Sequence, residues 1–346
     1  MGVGGVNTTG VDLTALSLGA GVQSTTLALL ALEGVLPRPD VAIFADTGWE
    51  PRAVYEHLDR LAAVLAEAGV PLLRVSNGNL RADALDPTRR YASIPYFTQN
   101  RPGPCEACQA TGVVVSPDPE VGRVRCVRCA GSGWDNGRGI GRRQCTNEYK
   151  LTPINRKVRE LLGAKPPRFR RVSRGRVCEQ WIGFSTDEIG RVSDKDQLSY
   201  IRKRYPLLEL GMSRKDCERW LTGRGWSVAK SACIGCPFHG NRQWRGLRDN
   251  RPDEWADAVA FDAAIRKGGA RGLPLNGEAF LHSSRVPLDR APIDRVTRRE
   301  WADAQVDLYD VLAETGDPDG CSPYGCRSGE PITLRAGNSG GKAGAA

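Results

Sequence analysis

The sequence predicts an α/β protein built on a mostly parallel β-sheet, and two segments carry this prediction. Residues 15–24, ALSLGAGVQS, are an apolar run that ends in a turn of small residues and leads directly into the apolar segment TTLALLALEGVL. Residues 41–51, VAIFADTGWEP, form a second apolar run that ends in an acidic turn. Alternating strand and helix patterns of this kind are typical of parallel sheets with helices on their faces.

The segments that follow extend the same pattern. VYEHLDRLAAVLAEAGV at 54–70 has apolar residues at helical spacing, and PLLRVS at 71–76 has the length and composition of a strand. The polar, proline-containing stretch 77–104 predicts irregular structure. From residue 151, TPINRKVRELLGA predicts a helix, and CEQWIGFS at 178–185 predicts a strand that returns to the sheet.

Further helices are expected toward the C-terminus. RPDEWADAVAFDAAIRKG at 251–268 is amphipathic, and TRREWADAQVDLYDVLAE from residue 297 predicts a last helix. We divide the chain into two halves of an α/β core, a cysteine-rich insertion between them, a helical C-terminal region and a Gly/Ala-rich tail that we expect to be disordered. The parts are 1–100, 101–140, 141–240, 241–330 and 331–346.

Composition limits the function classes. The net charge is +9, and the Arg-rich region 123–176 predicts either a surface for nucleic acid or a phosphorylated substrate, or a solvated face without a ligand. The sequence has no apolar run long enough to span a membrane and no signal-like N-terminus, so we expect a cytoplasmic protein. Eleven cysteines in such a chain favour metal or redox chemistry over a disulfide framework.

The loop after the first strand has the chemistry of a phosphate site. Gly19, Ala20 and Gly21 have little or no side chain, so a phosphate can approach the backbone N–H groups. Ser24 and Thr25 fall in the first helical turn, where hydroxyl groups and the positive helix end favour an anion. The loop lacks the GK[ST] of a Walker A loop and the glycine spacing of a dinucleotide fingerprint, so a tight turn without ligand remains the alternative.

Two cysteine pairs predict a zinc site. CEACQATG at 105–112 and CVRCAGSG at 126–133 resemble the half-repeats of DnaJ-type cysteine-rich modules, with Ala110 at one glycine position. Two CxxC units about twenty residues apart can place four thiolates around one zinc ion, and the glycines let backbone N–H groups turn toward sulfur. The expected ligands are Cys105, Cys108, Cys126 and Cys129. The alternatives are four unliganded cysteines or a site that only stiffens a loop.

Four segments resemble the phosphoadenylyl-sulfate (PAPS) reductase branch of the PP-loop ATP pyrophosphatases. GAGVQS is similar to the PP-loop SGGxDS, with Gly19 for its first Ser and Gln23 for its Asp. DTG at 46–48, followed by WEP, resembles the acidic turn of that branch. QCTNEYKLTPI at 144–154 resembles its CCxxxKxxPL segment, and GFSTDE at 183–188 resembles its GIRxDES segment. The resemblance covers roughly residues 12–240 in the family's order.

The resemblance implies a three-layer α/β sandwich of the adenine nucleotide α-hydrolase type that binds ATP or a sulfonucleotide (PAPS or APS), with Mg²⁺. Asp46, followed by Thr47 and Gly48, is expected near the ribose or the magnesium ion, and Lys150 and Arg143 are expected to neutralise phosphate or sulfate. Asp187 and Glu188 are expected to hold magnesium or orient the adenosine. The implied phosphate cradle consists of Ser17, Gly19, Ala20, Gly21, Gln23, Ser24 and Thr25.

A second set of cysteines, Cys145, Cys233 and Cys236, can be interpreted in more than one way. Cys145 stands alone, and Cys233 and Cys236 form the CxxC of SACIGCPFHG, which by itself is equally a structural pair or a redox dithiol. The resemblance implies an iron–sulfur cluster on these three cysteines, with a fourth ligand absent or supplied by another cysteine. Cys321 and Cys326 are either a replacement for the family's missing terminal cysteine motif or an inert turn.

Three functions are compatible with this combination. The first is ATP-dependent adenylation of a nucleic-acid-related acceptor followed by sulfur transfer, in which Cys145, Cys233 and Cys236 are the candidate catalytic residues. The second is reduction of a sulfonucleotide, PAPS or APS. The third is an accessory nucleotide-binding role in a CRISPR or phage-related nucleic-acid system.

Overall fold

A computed structural model of the chain describes residues 10–88, 94–141, 143–165, 171–192, 198–267, 277–298 and 300–301. The strands are β1 (Leu13–Leu18), β2 (Val41–Asp46), β3 (Leu72–Ser76), β4 (Phe97–Asn100), β5 (Gly103–Pro104), β6 (Val113–Val115), β7 (Arg123–Arg125), β8 (Trp134–Asp135), β9 (Arg138–Ile140), β10 (Cys178–Trp181), β11 (Ile201–Arg204) and β12 (Gly277–Phe280). The helices are α1 (Val22–Leu32), α2 (Arg52–Glu67), α3 (Leu80–Leu85), α4 (Thr152–Leu161), α5 (Pro206–Glu209), α6 (Arg214–Thr222), α7 (Asn241–Asn250) and α8 (Pro252–Ala264).

The main sheet has five parallel strands in the order β11-β10-β1-β2-β3. The α/β class and the parallel sheet predicted from the sequence are therefore confirmed. The chain leaves β1 toward β2 on one side and returns through β10 on the other, so the strand order reverses between β1 and β10. In open parallel sheets a ligand crevice forms outside the carboxyl ends of the strands at such a reversal.

Successive side chains of a strand point to opposite faces of the sheet, so the two faces of the main sheet pack in two separate hydrophobic clusters. Leu16 of β1 and Phe44 of β2 pack with residues of α1, α2 and α6, whereas Ala15 and Ile43 pack with α4. α1 is buried along most of its length, and α2 buries one stripe that includes Leu58, Leu61 and Leu65. Each fully buried leucine contributes about 1.5–3 kcal/mol. These clusters hold the carboxyl ends of the strands in fixed positions.

The helices and strands predicted within the described ranges coincide with described elements, but β11 was not predicted and a second stretch needs correction. The stretch 77–104, predicted to be irregular, contains α3 and the strands β4 and β5. β4 is the middle strand of an antiparallel sheet with β9 and β12, and β5 pairs with β8. Because these partners lie about 30 to 180 residues away in the sequence, local composition carried no signal of them.

Some expectations concern residues outside the described ranges. Most of the helix predicted from residue 297, the pair Cys321 and Cys326, and the tail 331–346 lie there. Among the helices of the described ranges, none combines the length and the apolar character needed to cross a membrane.

Candidate functional site

An open cleft of about 560 Å³ lies at the strand reversal. We call it the first cleft. Its walls are the loop between β1 and α1 on one side and Ile182 and Gly183, directly after β10, on the other. Gly183 lies so close to the first turn of α1 that a Cβ atom on it would be 3.1 Å from the backbone nitrogen of Ser24. A bulkier residue at Gly183 would therefore press on the helix end that faces the cleft.

The β1–α1 loop presents backbone rather than side chains to the first cleft. Ala20 adopts a left-handed conformation (φ +53°), and Gly21 is the N-cap of α1 in an extended conformation, with no side chain capping the helix. The backbone N–H of Gly19 donates to Ser24 Oγ at 3.2 Å, and the Ser24 hydroxyl donates to the Gly21 carbonyl at 3.2 Å. A helix N-terminus without a side-chain cap is a favourable position for an anion.

Three cations that the sequence analysis did not select also line the first cleft: Arg191, Arg214 and Lys230. Arg191 ends the short turn Thr186–Arg191, Arg214 begins α6, and Lys230 precedes the CxxC segment. They are separated by up to about forty residues, so no spacing pattern marks them as a group. With the N-terminus of α1 they make the cleft suitable for several negative charges.

The two acidic residues predicted for this site, Asp187 and Glu188, have different positions, and only Glu188 is among the residues lining the first cleft. Glu188 lines the first cleft, where its carboxylate accepts from Gln23 Nε2 at 3.2 Å and pairs with Arg191. Burial raises the pKa of Glu188, and the charge of Arg191 opposes that shift. Asp187 accepts the backbone N–H of Arg214 at 2.9 Å through Oδ1, while its Oδ2 is buried without a hydrogen-bond partner.

The remaining predicted cradle residues have different positions. Ser17 lines the first cleft and accepts from Gln180 Nε2 at 2.8 Å. Thr25 is fully buried and its hydroxyl is 2.9 Å from His57 Nε2, so it is not among the lining residues. Asp46 lies at the end of β2, where it accepts from the Gly48 N–H at 2.7 Å and the Tyr55 hydroxyl at 2.8 Å. Burial, followed by the hydrogen bond to Asp46, raises the pKa of Tyr55.

A second cleft, of about 420 Å³, lies beside the end of β2. The residues predicted for sulfur chemistry and for anion neutralisation come together here rather than in the first cleft. Its lining includes Cys145, Cys233, Cys236, Thr47, Arg143 and Lys150. The segment 231–236 connects the two clefts, because Ser231 donates to the Gly19 carbonyl in the first and Cys233 lines the second.

Glu50 organises the wall of the second cleft and was not selected from the sequence. Its Oε1 accepts from the Thr47 hydroxyl at 3.0 Å and lies 3.5 Å from Cys233 Sγ and 3.6 Å from Lys150 Nζ. The Thr47 hydroxyl also lies 3.4 Å from Cys233 Sγ. Lys150, expected to neutralise phosphate or sulfate, is therefore paired with a buried carboxylate and does not line the first cleft.

The glycine of the CxxC segment is required by packing. A Cβ atom on Gly235 would fall within the ring of Trp49, which is held by a 2.6 Å hydrogen bond to Asp257 and by contact with Phe261. Gly235→Ala is expected to lower the free energy of unfolding by about 1–3 kcal/mol, the usual range for overpacking. Gly246→Ala is the matched control, since space is open around Gly246 in α7 and alanine favours a helix. Equal stability of both variants in urea unfolding would contradict this packing.

The four cysteines of the insertion form a compact buried cluster. Cys105 and Cys126 have their sulfur atoms 3.9 Å apart, and Cys108 and Cys129 have theirs 3.7 Å apart. Zn–S bonds of about 2.3 Å give a tetrahedron with edges of about 3.8 Å. The separations match that edge and are far longer than a disulfide bond. The cluster can therefore hold a metal ion such as zinc.

Backbone groups around the cluster repeat in both cysteine units. The Cys105 N–H donates to the Gly133 carbonyl at 2.9 Å, and the Cys126 N–H donates to the Gly112 carbonyl at 2.8 Å. Gly112 also donates its N–H to Cys108 Sγ at 3.3 Å. Burial acts to raise the pKa of Cys129, but hydrogen bonds from Gly133, the neighbouring thiols and Gly131 lower it to about 6. These donors favour the thiolate form that a metal requires.

Within the described ranges, no second group of three or more candidate ligands lies as close together as these four sulfurs. Cys145, Cys233 and Cys236 thus do not form a site for a single ion. The three thiols line one cleft together with Arg143 and Lys150.

Comparisons with known proteins do not assign the chain to a family: no family model matches it, and no curated protein matches it. The function must therefore be argued from the two clefts and the cysteine cluster.

Proposed function

We propose that the first cleft binds the phosphates of ATP or of a sulfonucleotide, as in the PP-loop proteins that the sequence resembles. One observation carries the proposal: the uncapped N-terminus of α1 and the side chains of Arg191, Arg214 and Lys230 surround a single cleft at the strand reversal. Backbone N–H groups and cations of this kind recognise phosphate oxygens. Glu188, which lines the cleft, and Asp187, which precedes it in the chain, are then the candidate magnesium ligands.

The reaction that we propose is adenylation of a nucleic-acid-related acceptor by ATP, which releases pyrophosphate, followed at the second cleft by attack of sulfur from an external sulfide-level donor, which displaces AMP from the activated acceptor. Cys145, Cys233 and Cys236 line that cleft, and the segment 231–236 joins it to the phosphate loop. An iron–sulfur cluster on these cysteines would supply the sulfur-binding chemistry. We further propose that the fold is a three-layer sandwich of the adenine nucleotide α-hydrolase type and that the four-cysteine insertion is a zinc knuckle.

The binding step is tested with Lys230→Ala. A charge-assisted hydrogen bond is worth about 1.5–3 kcal/mol, so we expect Kd for ATP to rise roughly 10- to 100-fold. Isothermal titration calorimetry with ATP and, separately, with PAPS measures the change. Lys267→Ala is the control because its side chain is 85% exposed and lies outside both clefts. Unchanged affinity in Lys230→Ala, or equal loss in both variants, would contradict the assignment.

The chemical step is tested on the same protein. Pyrophosphate release from ATP that increases with added RNA or DNA supports adenylation, whereas sulfite formation from PAPS with thioredoxin supports the reductase alternative. ATP binding without either product contradicts both reactions and leaves the accessory role.

A further inference from the structure

The positive charge of the chain is concentrated in one segment. Residues 143–176 contain eleven Lys or Arg and two Glu, a net charge of +9, which equals that of the whole chain. The cysteine insertion, residues 101–141, contains five Arg and four acidic residues. Within the Arg-rich region 123–176, residues 123–142 contain five Arg and one Asp, so the larger share of the positive charge lies in 143–176.

The fold gathers these cations on one side of the sheet. Ile154 and Val158 of α4 are buried in a cluster that Val172 and Tyr200 also border, so α4, the segment 171–176 and the start of β11 are neighbours. Lys203 lies on the same side of β11 as Ile201, which belongs to that cluster. We call this surface the α4 face. Its cations, all at least partly exposed, are Arg156, Lys157, Arg159, Lys165, Arg171, Arg174, Arg176 and Lys203.

Within the described ranges, acidic groups form ion pairs with two of these cations. Glu160 pairs with Lys157 at 2.9 Å, and Asp12 pairs with Arg176 at 3.2 Å. By contrast, Arg204, the last residue of β11, is enclosed by Glu179 and Glu209 on the other side of that strand. The α4 face therefore keeps an excess of positive charge that attracts polyanions.

We propose that the α4 face binds the sugar–phosphate backbone of a nucleic-acid duplex. The ten residues of α4 extend about 15 Å, over which a duplex carries roughly nine phosphate charges. The cations of the face, among them the exposed Lys165, Arg171 and Arg174, supply positive charge toward these phosphates. Tyr200 is the only aromatic residue identified at the α4 face among the described residues, and it is half-buried, which favours backbone contacts over base stacking.

An anionic membrane fits the same surface less well. A membrane-binding surface combines cations with exposed large apolar side chains that enter the lipid. On the α4 face Leu161 is 37% exposed, and Leu198, just before β11, is 38% exposed, so the described part of this face offers little apolar surface to a lipid. The other large exposed hydrophobics lie elsewhere, many of them in the cysteine insertion.

The α4 face is continuous with the second cleft. The π-helical turn Thr146–Leu151, which contains Lys150, leads directly into α4. Arg156 donates to the Ser76 carbonyl at 3.0 Å, where β3 ends at the carboxyl edge of the sheet. A duplex along α4 would therefore bring a nucleotide to the edge where Cys145 lies. The inference deepens the proposed function, on which it rests for the reaction, by naming a duplex as the acceptor.

The test uses the full chain and a variant that carries Lys165→Ala, Arg171→Ala and Arg174→Ala. All three side chains are exposed, and none lines either cleft. Fluorescence anisotropy measures binding to a duplex DNA and a duplex RNA of about 20 base pairs, between roughly 50 and 200 mM salt. We expect Kd to rise at least about tenfold and the salt slope to fall by about 0.9 for each contact removed.

The matched control carries Arg219→Ala, Lys267→Ala and Arg290→Ala, which remove the same charge at exposed positions away from the α4 face. Equal weakening in both triple variants, no weakening in the α4 variant, or a preference for anionic lipid vesicles over both duplexes would overturn the proposal. The two duplexes show whether DNA or RNA is the partner. ATP titration of the same variants separates this result from the nucleotide proposal, because ATP affinity should not change.

Discussion

Cys126→Ser is expected to remove one zinc ion per chain and to unfold the cysteine insertion locally. The hydrophobic cluster of the insertion consists of the four cysteines and Val114, so without metal it has almost no apolar core. Structural zinc supplies about 10–16 kcal/mol in comparable sites, far more than this small cluster can provide by burial. Inductively coupled plasma mass spectrometry gives the zinc content, and limited proteolysis within 101–140 reports the unfolding.

Cys145→Ser is the control for this prediction. Cys145 belongs to the second cleft, so its replacement should leave the zinc content at one per chain. If iron and visible absorbance decrease in Cys145→Ser while zinc is retained, the two cysteine sets hold different metals. A wild-type chain that is folded and protease-resistant without metal would show that the knuckle does not depend on zinc.

The sequence was informative wherever a pattern is local. The strands β1, β2 and β10 and the helices α2, α4 and α8 coincide with apolar periodicity, because each buries one face or both faces against a neighbour. The cysteine cluster was also predicted correctly, since both units have the same short spacing. β4 was not predicted, because only its distant partners β9 and β12 make it a strand.

The candidate site was predictable only in part. Ser17, Gln23 and Ser24 were found because they flank one short loop in the sequence, and they do line the first cleft. Arg214 and Lys230 were missed, since tertiary structure alone brings them to that loop. Thr25 was predicted for the phosphate cradle, but its side chain is buried and its hydroxyl contacts His57. Its position in the first turn of α1 did not determine the direction of its side chain.

The contacts of Glu50 with Thr47, Cys233 and Lys150 follow from the fold and could not be predicted from the sequence. They predict a large loss of stability when Glu50 is replaced. Glu50→Ala is expected to lower the free energy of unfolding by about 3–5 kcal/mol, the usual result of removing one partner of a buried ion pair. The side chains of Glu50 and Lys150 are only 2% and 10% exposed, so water cannot replace the lost carboxylate. Chemical denaturation in urea measures the loss.

The double variant Glu50→Ala with Lys150→Met separates charge from packing. Removing both charges eliminates the desolvated ammonium group, so the double variant should be more stable than Glu50→Ala alone. Glu50→Gln tests the hydrogen bond, because its amide oxygen can still accept from Thr47 while the charge is gone. If the double variant is no more stable than Glu50→Ala, the loss of unfolding free energy comes from lost packing around Thr47 and Cys233 and not from the charge of Lys150.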